Sequence, residues 1–167
     1  MHALNIRTEK SRNLPLHQKK GKPNKIHIQI SQTVTCPVPV KQIERLGRSV
    51  LREEMWRGNG ILSIVFVSDS EIQSLNLKFL GKERPTDVIA FFLDDKKDEV
   101  WGEIYISVDR AREQAKMYRV TIQEELARLV IHGILHLLGF EDHTKPERKK
   151  MTDKEDQYLF RFLGIHP

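Results

Sequence analysis

The segment from position 132 to position 143, HGILHLLGFEDH, carries the residues best suited to chemistry. Its two histidines, His132 and His136, are four positions apart, so on a helix they share one face and lie ~6 Å apart along the axis. At that spacing both imidazole rings can reach one metal ion at ~2.0–2.1 Å. Gly139 stands where helices often end in a residue of positive φ. The residues after that turn return over the same face, where a third ligand is needed.

Asp142 and His143 both stand at that point, and either can be the third ligand. Carboxylate oxygen and imidazole nitrogen bind zinc at similar distances, and zinc accepts neutral imidazole readily. Three protein ligands leave a fourth position for water, whose pKa zinc lowers to about 7. The pattern therefore favours a metal-dependent hydrolase that holds one zinc ion.

The alternative is a pair of ordinary core histidines on a buried helix. The residues around them are apolar on all sides, which predicts burial. Two buried histidines without partners would each cost on the order of 1–3 kcal/mol, so a metal ion is the better explanation. Zinc peptidases of the H-E-x-x-H type carry a glutamate directly after the first histidine, whereas this chain has Gly133. Peptidase chemistry is therefore not expected, and a glycine leaves room beside the ion for a bulky substrate.

Length and composition indicate a soluble protein with a single domain. The chain has 167 residues, of which 39% are hydrophobic and 31% charged. Its longest apolar run, 129–138, is shorter than the ~20 residues of a membrane span, and the N-terminus lacks the apolar segment of a secretory signal. Cys36 is the only cysteine, which excludes an internal disulfide and fits a reducing compartment. We expect a cytoplasmic protein that does not bind membranes.

Positive charge is concentrated at the N-terminus. Residues 1–25 carry seven basic residues against Glu9 alone, a net charge of +6, so residues 26–167 sum to −1 within a chain total of +5. We expect residues 1–25 to be a flexible basic arm that attracts phosphate backbones. Residues 26–167 are expected to form one catalytic domain.

The hydrophobic pattern predicts alternating strands and helices. Strands are expected at 26–30, 61–67, 88–93 and 102–108. Helices are expected at 38–56, from 68 or 69 onwards, at 109–118, from the capping box at Thr121 and Glu124 through the histidines, and at 149–162. This order predicts an α+β fold with one small mixed β-sheet packed with helices.

Three segments together resemble the YbeY family of bacterial endoribonucleases. The segment 132–143 is similar to the family signature H-G-x-L-H-L-x-G-Y/F-D-H. The segment 75–91 is similar to L-N-x-x-Y/F-R-G-K-D-x-P-T-D-V-L-S-F, and the segment 102–107 to G-D-I-x-I-S. The resemblance covers about residues 60 to 164.

The resemblance implies a zincin-like fold and zinc-dependent cleavage of single-stranded RNA. It further implies a role in 3′-end maturation of 16S ribosomal RNA and in ribosome quality control. The expected partners are single-stranded RNA and the small ribosomal subunit, in the cytoplasm, with no DNA or membrane partner. Few exposed aromatic residues that could stack on bases are evident, so we expect weak preference for the sequence of the RNA.

The chain departs from the family pattern at two positions. The family spaces its ligands H-x3-H-x5-H. An ungapped alignment assigns the third ligand to Asp142 and a one-residue insertion assigns it to His143; we favour Asp142, because Met151 then keeps its usual separation. The family also has an arginine, assigned a role in activity, where this chain has Leu80.

The loss of that arginine leaves two interpretations of the protein. Lys82 and Arg84 lie close by and are candidate catalytic residues that contact phosphate, although ordinary loop residues would look the same. The alternative is a ribosome-associated assembly factor with structural zinc and little or no nuclease activity. Asp87 could orient a ligand histidine, but a turn role is favoured. Glu103 could be a general base, but a solvent-facing residue is favoured.

Overall fold

The structure, a computed structural model, describes residues 4–6, 26–54, 56, 60–93 and 100–164. Ten elements form in the order β-β-α-β-α-β-β-α-α-α, which confirms the predicted α+β class. They are β1 (Leu4–Ile6), β2 (Ile26–Gln32), α1 (Val40–Glu53), β3 (Gly60–Val67), α2 (Asp69–Leu80), β4 (Val88–Phe92), β5 (Val100–Ser107), α3 (Val108–Tyr118), α4 (Ile122–Leu137) and α5 (Lys145–Leu163).

The strands form one mixed sheet in the order β1-β4-β5-β3-β2. Only the pair β4–β5 is antiparallel, and the other pairs are parallel. Central strand β5 pairs Ile104 with Ala90 on one side and with Ile64 on the other. All three side chains are fully buried. The mixed sheet that the sequence predicts is therefore confirmed.

Strand β1 differs from the predicted N-terminal arm. Residues Leu4–Ile6 pair in parallel with Ile89–Phe91 of β4, so these three residues are part of the sheet and not of a free arm. The rest of the predicted arm lies outside the described residues.

Each face of the sheet packs against different helices. Residues of β3, β4 and β5 that include Ile64, Ala90 and Ile104 share one core with the buried residues of α1, α4 and α5. On the opposite face, Ile89 and Phe91 form a second, smaller core with Ile72 of α2. The alternation of side chains along β4 thus separates α2 from α4 by the thickness of the sheet.

Helix α4 is the centre of the larger core. Its N-terminus is fixed by the predicted capping box, in which Thr121 Oγ1 accepts from Glu124 N at 3.2 Å. Every residue from Glu125 to Leu137 except Arg128 is buried. A Cβ atom on Gly133 would lie 2.6 Å from Cγ2 of Ile104. This glycine therefore allows close approach of the helix to the sheet, which corrects the prediction that it leaves room for substrate.

Helix α5 begins at Lys145, four residues earlier than predicted. A second capping box explains the difference: Thr144 Oγ1 accepts from Glu147 N at 3.3 Å, and Glu147 Oε2 accepts from Thr144 N at 2.8 Å. Pro146 occupies the first turn, where a missing N–H removes no helical hydrogen bond. None of the helices in the described part of the chain combines the length and apolarity that a membrane span needs.

Candidate metal centre

Three buried side chains converge on one point beside the C-terminal end of α4. Nε2 of His132 lies 3.1 Å from Nε2 of His136, and each lies 4.0 Å from Oδ2 of Asp142. All three residues are at most 3% exposed. The structure therefore brings together two imidazole nitrogens and one carboxylate oxygen, a donor set that suits zinc.

One buried polar atom in this group lacks a hydrogen-bond partner, which is evidence for a bound cation. Oδ2 of Asp142 is buried and has no hydrogen-bond partner among the described residues. Tetrahedral ligands at ~2.0–2.2 Å from zinc are about 3.4 Å apart, so the carboxylate, at 4.0 Å from each imidazole nitrogen, needs to approach by only about 0.6 Å. The residues present fit one divalent ion.

The protonation state of His136 also suits a ligand. Burial, and after it the charge of the neighbouring His132, lower its pKa to about 3. The imidazole of His136 is therefore neutral at pH 7, as metal coordination requires.

His143, the alternative third ligand, lies outside this group. Its side chain is 77% exposed and its Nε2 lies 3.3 Å from Oε2 of Glu141. The structure thus brings Asp142, and not His143, to the two histidines.

The turn after α4 delivers Asp142. Gly139 adopts a φ of 92°, and Phe140 N donates to Leu135 O at 3.0 Å, which reverses the chain. Arg148 of α5 then donates to the backbone oxygens of Asp142 and His143 at 3.0 and 2.8 Å. The position of Asp142 therefore depends on both the positive φ and the docking of α5.

Glu155 of α5 orients one of the two histidines. Its Oε1 lies 2.6 Å from Nδ1 of His132, the distance of a short, charge-assisted hydrogen bond. With Nδ1 donating to the carboxylate, Nε2 of His132 is free of its proton and faces the metal position. Nothing in the sequence pattern indicated this glutamate, because it is 23 residues away on another helix.

An arginine completes this network. Nη1 of Arg128 lies 3.2 Å from Oε2 of Glu155, and its Nη2 lies 2.8 Å from Oδ1 of Asp156. A buried carboxylate stays charged most readily beside a cation. Arg128 therefore pairs with the carboxylate that contacts His132.

A second cluster of polar side chains includes Glu125, the first buried residue of α4. Burial raises the pKa of Glu125 to about 7; the charge of Arg128 opposes this rise, and the charges of Glu155 and Asp87 add to it. Its Oε1 has no hydrogen-bond partner among the described residues. Asp87 accepts from Gln114 Nε2 at 3.0 Å and from its own neighbour, Val88 N, at 3.0 Å. The latter contact is local to the start of β4.

The candidate phosphate contacts, Lys82 and Arg84, lie in the loop between α2 and β4. Both side chains are exposed. The loop is fixed by Asn76, which is fully buried and donates through Nδ2 to Arg84 O at 2.6 Å. Glu103, the candidate general base, accepts from the Tyr105 hydroxyl at 3.2 Å. Tyr105 belongs with the apolar side chains on the sheet face away from α4, so Glu103 lies on that side too.

We expect Glu155→Gln to weaken zinc binding about 10- to 100-fold, because the neutral amide no longer increases the basicity of His132. Competition with a chromophoric chelator measures the affinity. Asp156→Asn is the matched control, since it removes the other carboxylate on Arg128 and leaves the contact to His132 intact. Equal affinity of Glu155→Gln and the wild type would contradict the orienting role.

We expect Glu125→Gln to stabilise the protein at and above pH 7. The raised pKa means that the folded protein holds a proton which the unfolded chain releases near pH 4.5, so stability falls as pH rises from about 4.5 to about 7. The amide removes this decline, worth about 3 kcal/mol at most. Urea unfolding across pH 4–8 measures the difference from the wild type. Glu113→Gln, at an exposed position on α3, should leave the curve unchanged, and parallel curves for Glu125→Gln and the wild type would contradict the assignment.

The chain is similar to several known proteins. A family described as endoribonuclease YbeY matches residues 27–163. A protein of that name from Carboxydothermus hydrogenoformans is 46% identical over 101 residues, which cover 60% of this chain and 71% of the relative. Another from Chloroherpeton thalassium is 38% identical over 130 residues, which cover 78% of this chain and 91% of the relative.

A solved structure is similar in fold. The solution structure of TM1509 from Thermotoga maritima superposes with a TM-score of 0.57 and 30% identity, over 83% of this chain and 90% of that one. The family match covers most of the chain. The chain belongs to the YbeY family of endoribonucleases.

Proposed function

We propose that this protein cleaves single-stranded RNA with one zinc ion held by His132, His136 and Asp142. The observation that carries the proposal is the buried Oδ2 of Asp142, which has no hydrogen-bond partner among the described residues and lies 4.0 Å from both imidazole nitrogens. A buried carboxylate oxygen without a partner is strongly disfavoured unless a cation offsets its charge. RNA is the substrate class that family membership supports.

The number of ligands favours a catalytic over a structural ion. Structural zinc is closed by four protein ligands, whereas catalytic zinc has three and an open position. Within the described part of the chain, the group that could hold an ion has three members. When bound, zinc supplies a Lewis acid that polarises a phosphoryl oxygen and makes a coordinated water more acidic.

The chain's own residues have separate roles in this proposal. Glu155 holds the proton on Nδ1 of His132 and so keeps its Nε2 available as a ligand. Lys82 and Arg84 contact RNA phosphates from the loop after α2, as point charge and planar fork respectively. The basic residues of 1–25 add a general attraction for the RNA backbone.

The biological setting of the proposal follows from the family resemblance. We place the activity in the 3′-end maturation of 16S ribosomal RNA and in ribosome quality control, beside the small ribosomal subunit in the cytoplasm.

Leu80 supports a second candidate, a ribosome assembly factor with structural zinc and little nuclease activity. It ends α2 at the position where the family pattern has an arginine with a role in activity. A leucine offers no positive charge to a phosphate. The two candidates differ in whether the purified protein cuts RNA at a rate that depends on the metal.

We expect His136→Ala and Asp142→Asn each to lower cleavage of a single-stranded RNA oligonucleotide at least 100-fold, because each removes a ligand. Chelation of the wild type should have the same effect, and added zinc should restore activity. His143→Ala is the matched control, since it removes the exposed neighbour of Asp142. Loss of zinc from His143→Ala, with zinc retained by Asp142→Asn, would reassign the third ligand.

We expect Leu80→Arg to raise the cleavage rate about tenfold, because a guanidinium at the end of α2 restores a charge–phosphate contact. Leu77→Arg, at an exposed position of the same helix, controls for the added charge alone. Zinc-bound wild type and Leu80→Arg that are both inactive would favour the assembly-factor candidate.

A further inference from the structure

Three aromatic rings form a row on the face of the sheet opposite α4. The Phe79 ring, in the last turn of α2, lies 4.9 Å from the Phe91 ring of β4 at an angle of 70°. The Phe91 ring in turn lies 5.9 Å from the Tyr105 ring of β5 at 88°. Edge-to-face contacts of this kind fix the rings against each other.

The outer ring of the row is open to solvent. Phe79 is 50% exposed, whereas Phe91 beneath it is 8% exposed. Phe91 thus supports Phe79 from the protein side, so that the ring can present apolar surface without losing its orientation. A single exposed phenylalanine does not by itself indicate a binding site. The charges around the Phe79 ring are the further observation.

Positive charge surrounds this ring. Nζ of Lys78 lies 5.0 Å from the centroid of the Phe79 ring. Lys82 and Arg84 follow in the loop directly after α2, and the acidic Glu83 stands between them. The acidic residues of α2, Asp69 and Glu71, are at its other end. An anionic ligand with apolar flat groups therefore fits the C-terminal end of this helix.

Single-stranded RNA has this chemistry. Proteins that bind single strands combine aromatic rings, on which bases stack, with basic residues that track the phosphates. We propose that Phe79, with Lys78, Lys82 and Arg84, forms a base-stacking site for the substrate RNA. This inference rests on the proposed function.

The location of the site indicates where the stacked nucleotide lies relative to the cut. Phe79 packs on Phe91, on the sheet face away from α4, whereas the candidate metal ligands His132 and His136 lie on α4. The base on Phe79 therefore belongs to a nucleotide at a distance from the cut. Such a contact strengthens RNA binding equally in the ground state and the transition state, so it changes KM and leaves kcat unchanged.

The loop after α2 connects the two regions. It runs from Gly81, where α2 ends with φ of 66°, to Asp87, whose charge acts on His136. Asn76 fixes its middle through the hydrogen bond to Arg84 O. A strand stacked on Phe79 can follow Lys82 and Arg84 along this loop toward the metal ligands.

The test replaces the π face and keeps the apolar volume. Phe79→Leu should raise KM, and the Kd of a fluorescein-labelled 12-nucleotide oligoadenylate, about 5- to 150-fold, the equivalent of the stacking energy of one base. Its kcat should stay within twofold of the wild type. Tyr118→Leu, at an aromatic residue of α3 that is 51% exposed, is the matched control and should change neither.

An oligonucleotide whose bases are replaced by abasic sites separates stacking from charge. Wild type and Phe79→Leu should bind it equally, because only the phosphates remain. Wild-type affinity of Phe79→Leu for the oligoadenylate would overturn the proposal. An equal loss on the abasic strand, or an equal loss in Tyr118→Leu, would overturn it as well.

Measurements in the His136→Ala variant separate this proposal from the proposed nuclease activity. The Phe79→Leu effect on Kd should persist in His136→Ala, which binds RNA without cutting it. If the wild type binds RNA but does not cut it, the nuclease proposal fails and the stacking site stands. If His136→Ala binds the oligoadenylate equally with and without Phe79→Leu, the stacking site fails and the cleavage result stands.

Discussion

Three candidate metal-ligand atoms lie inside an apolar core, and the electrostatic cost of burying them determines what the surrounding structure must provide. A buried carboxylate such as Asp142 requires a nearby positive charge, and two adjacent imidazoles must remain neutral. A divalent cation meets both requirements at once. The low pKa of His136 follows from the same burial, so one constraint explains both the donor set and its protonation state.

The remaining parts of the site prepare this group for the ion. The sheet and the close contact at Gly133 fix α4, the positive φ of Gly139 returns the chain, and α5 supplies both Arg148 and Glu155. The network from Arg128 through Glu155 to His132 places a negative charge behind one ligand without adding it to the first coordination sphere. Lys82 and Arg84, the proposed phosphate contacts, lie apart from this network, on the exposed loop after α2.

Local signals in the sequence were sufficient for most of the fold. Capping boxes, β-branched runs and the helical spacing of His132 and His136 act over a few residues, and the structure confirms the four predicted strands, β2 to β5, the helices and the burial of α4. The early start of α5 was also readable, from the capping box of Thr144 and Glu147. Glu155 and the exposed ring of Phe79 were not, since contacts between helices and the support of one ring by another arise only in three dimensions.

The contact between Glu155 and His132 gives the protein an order of assembly. Helix α4 carries two ligands, and the turn after it adds the third, but the partner that orients His132 is synthesised 23 residues later. Arg148, which fixes the backbone at Asp142, also comes from α5. During translation the ligands therefore emerge before the helix that aligns them. A nascent chain therefore gains a well-ordered group of candidate ligands only when α5 has docked.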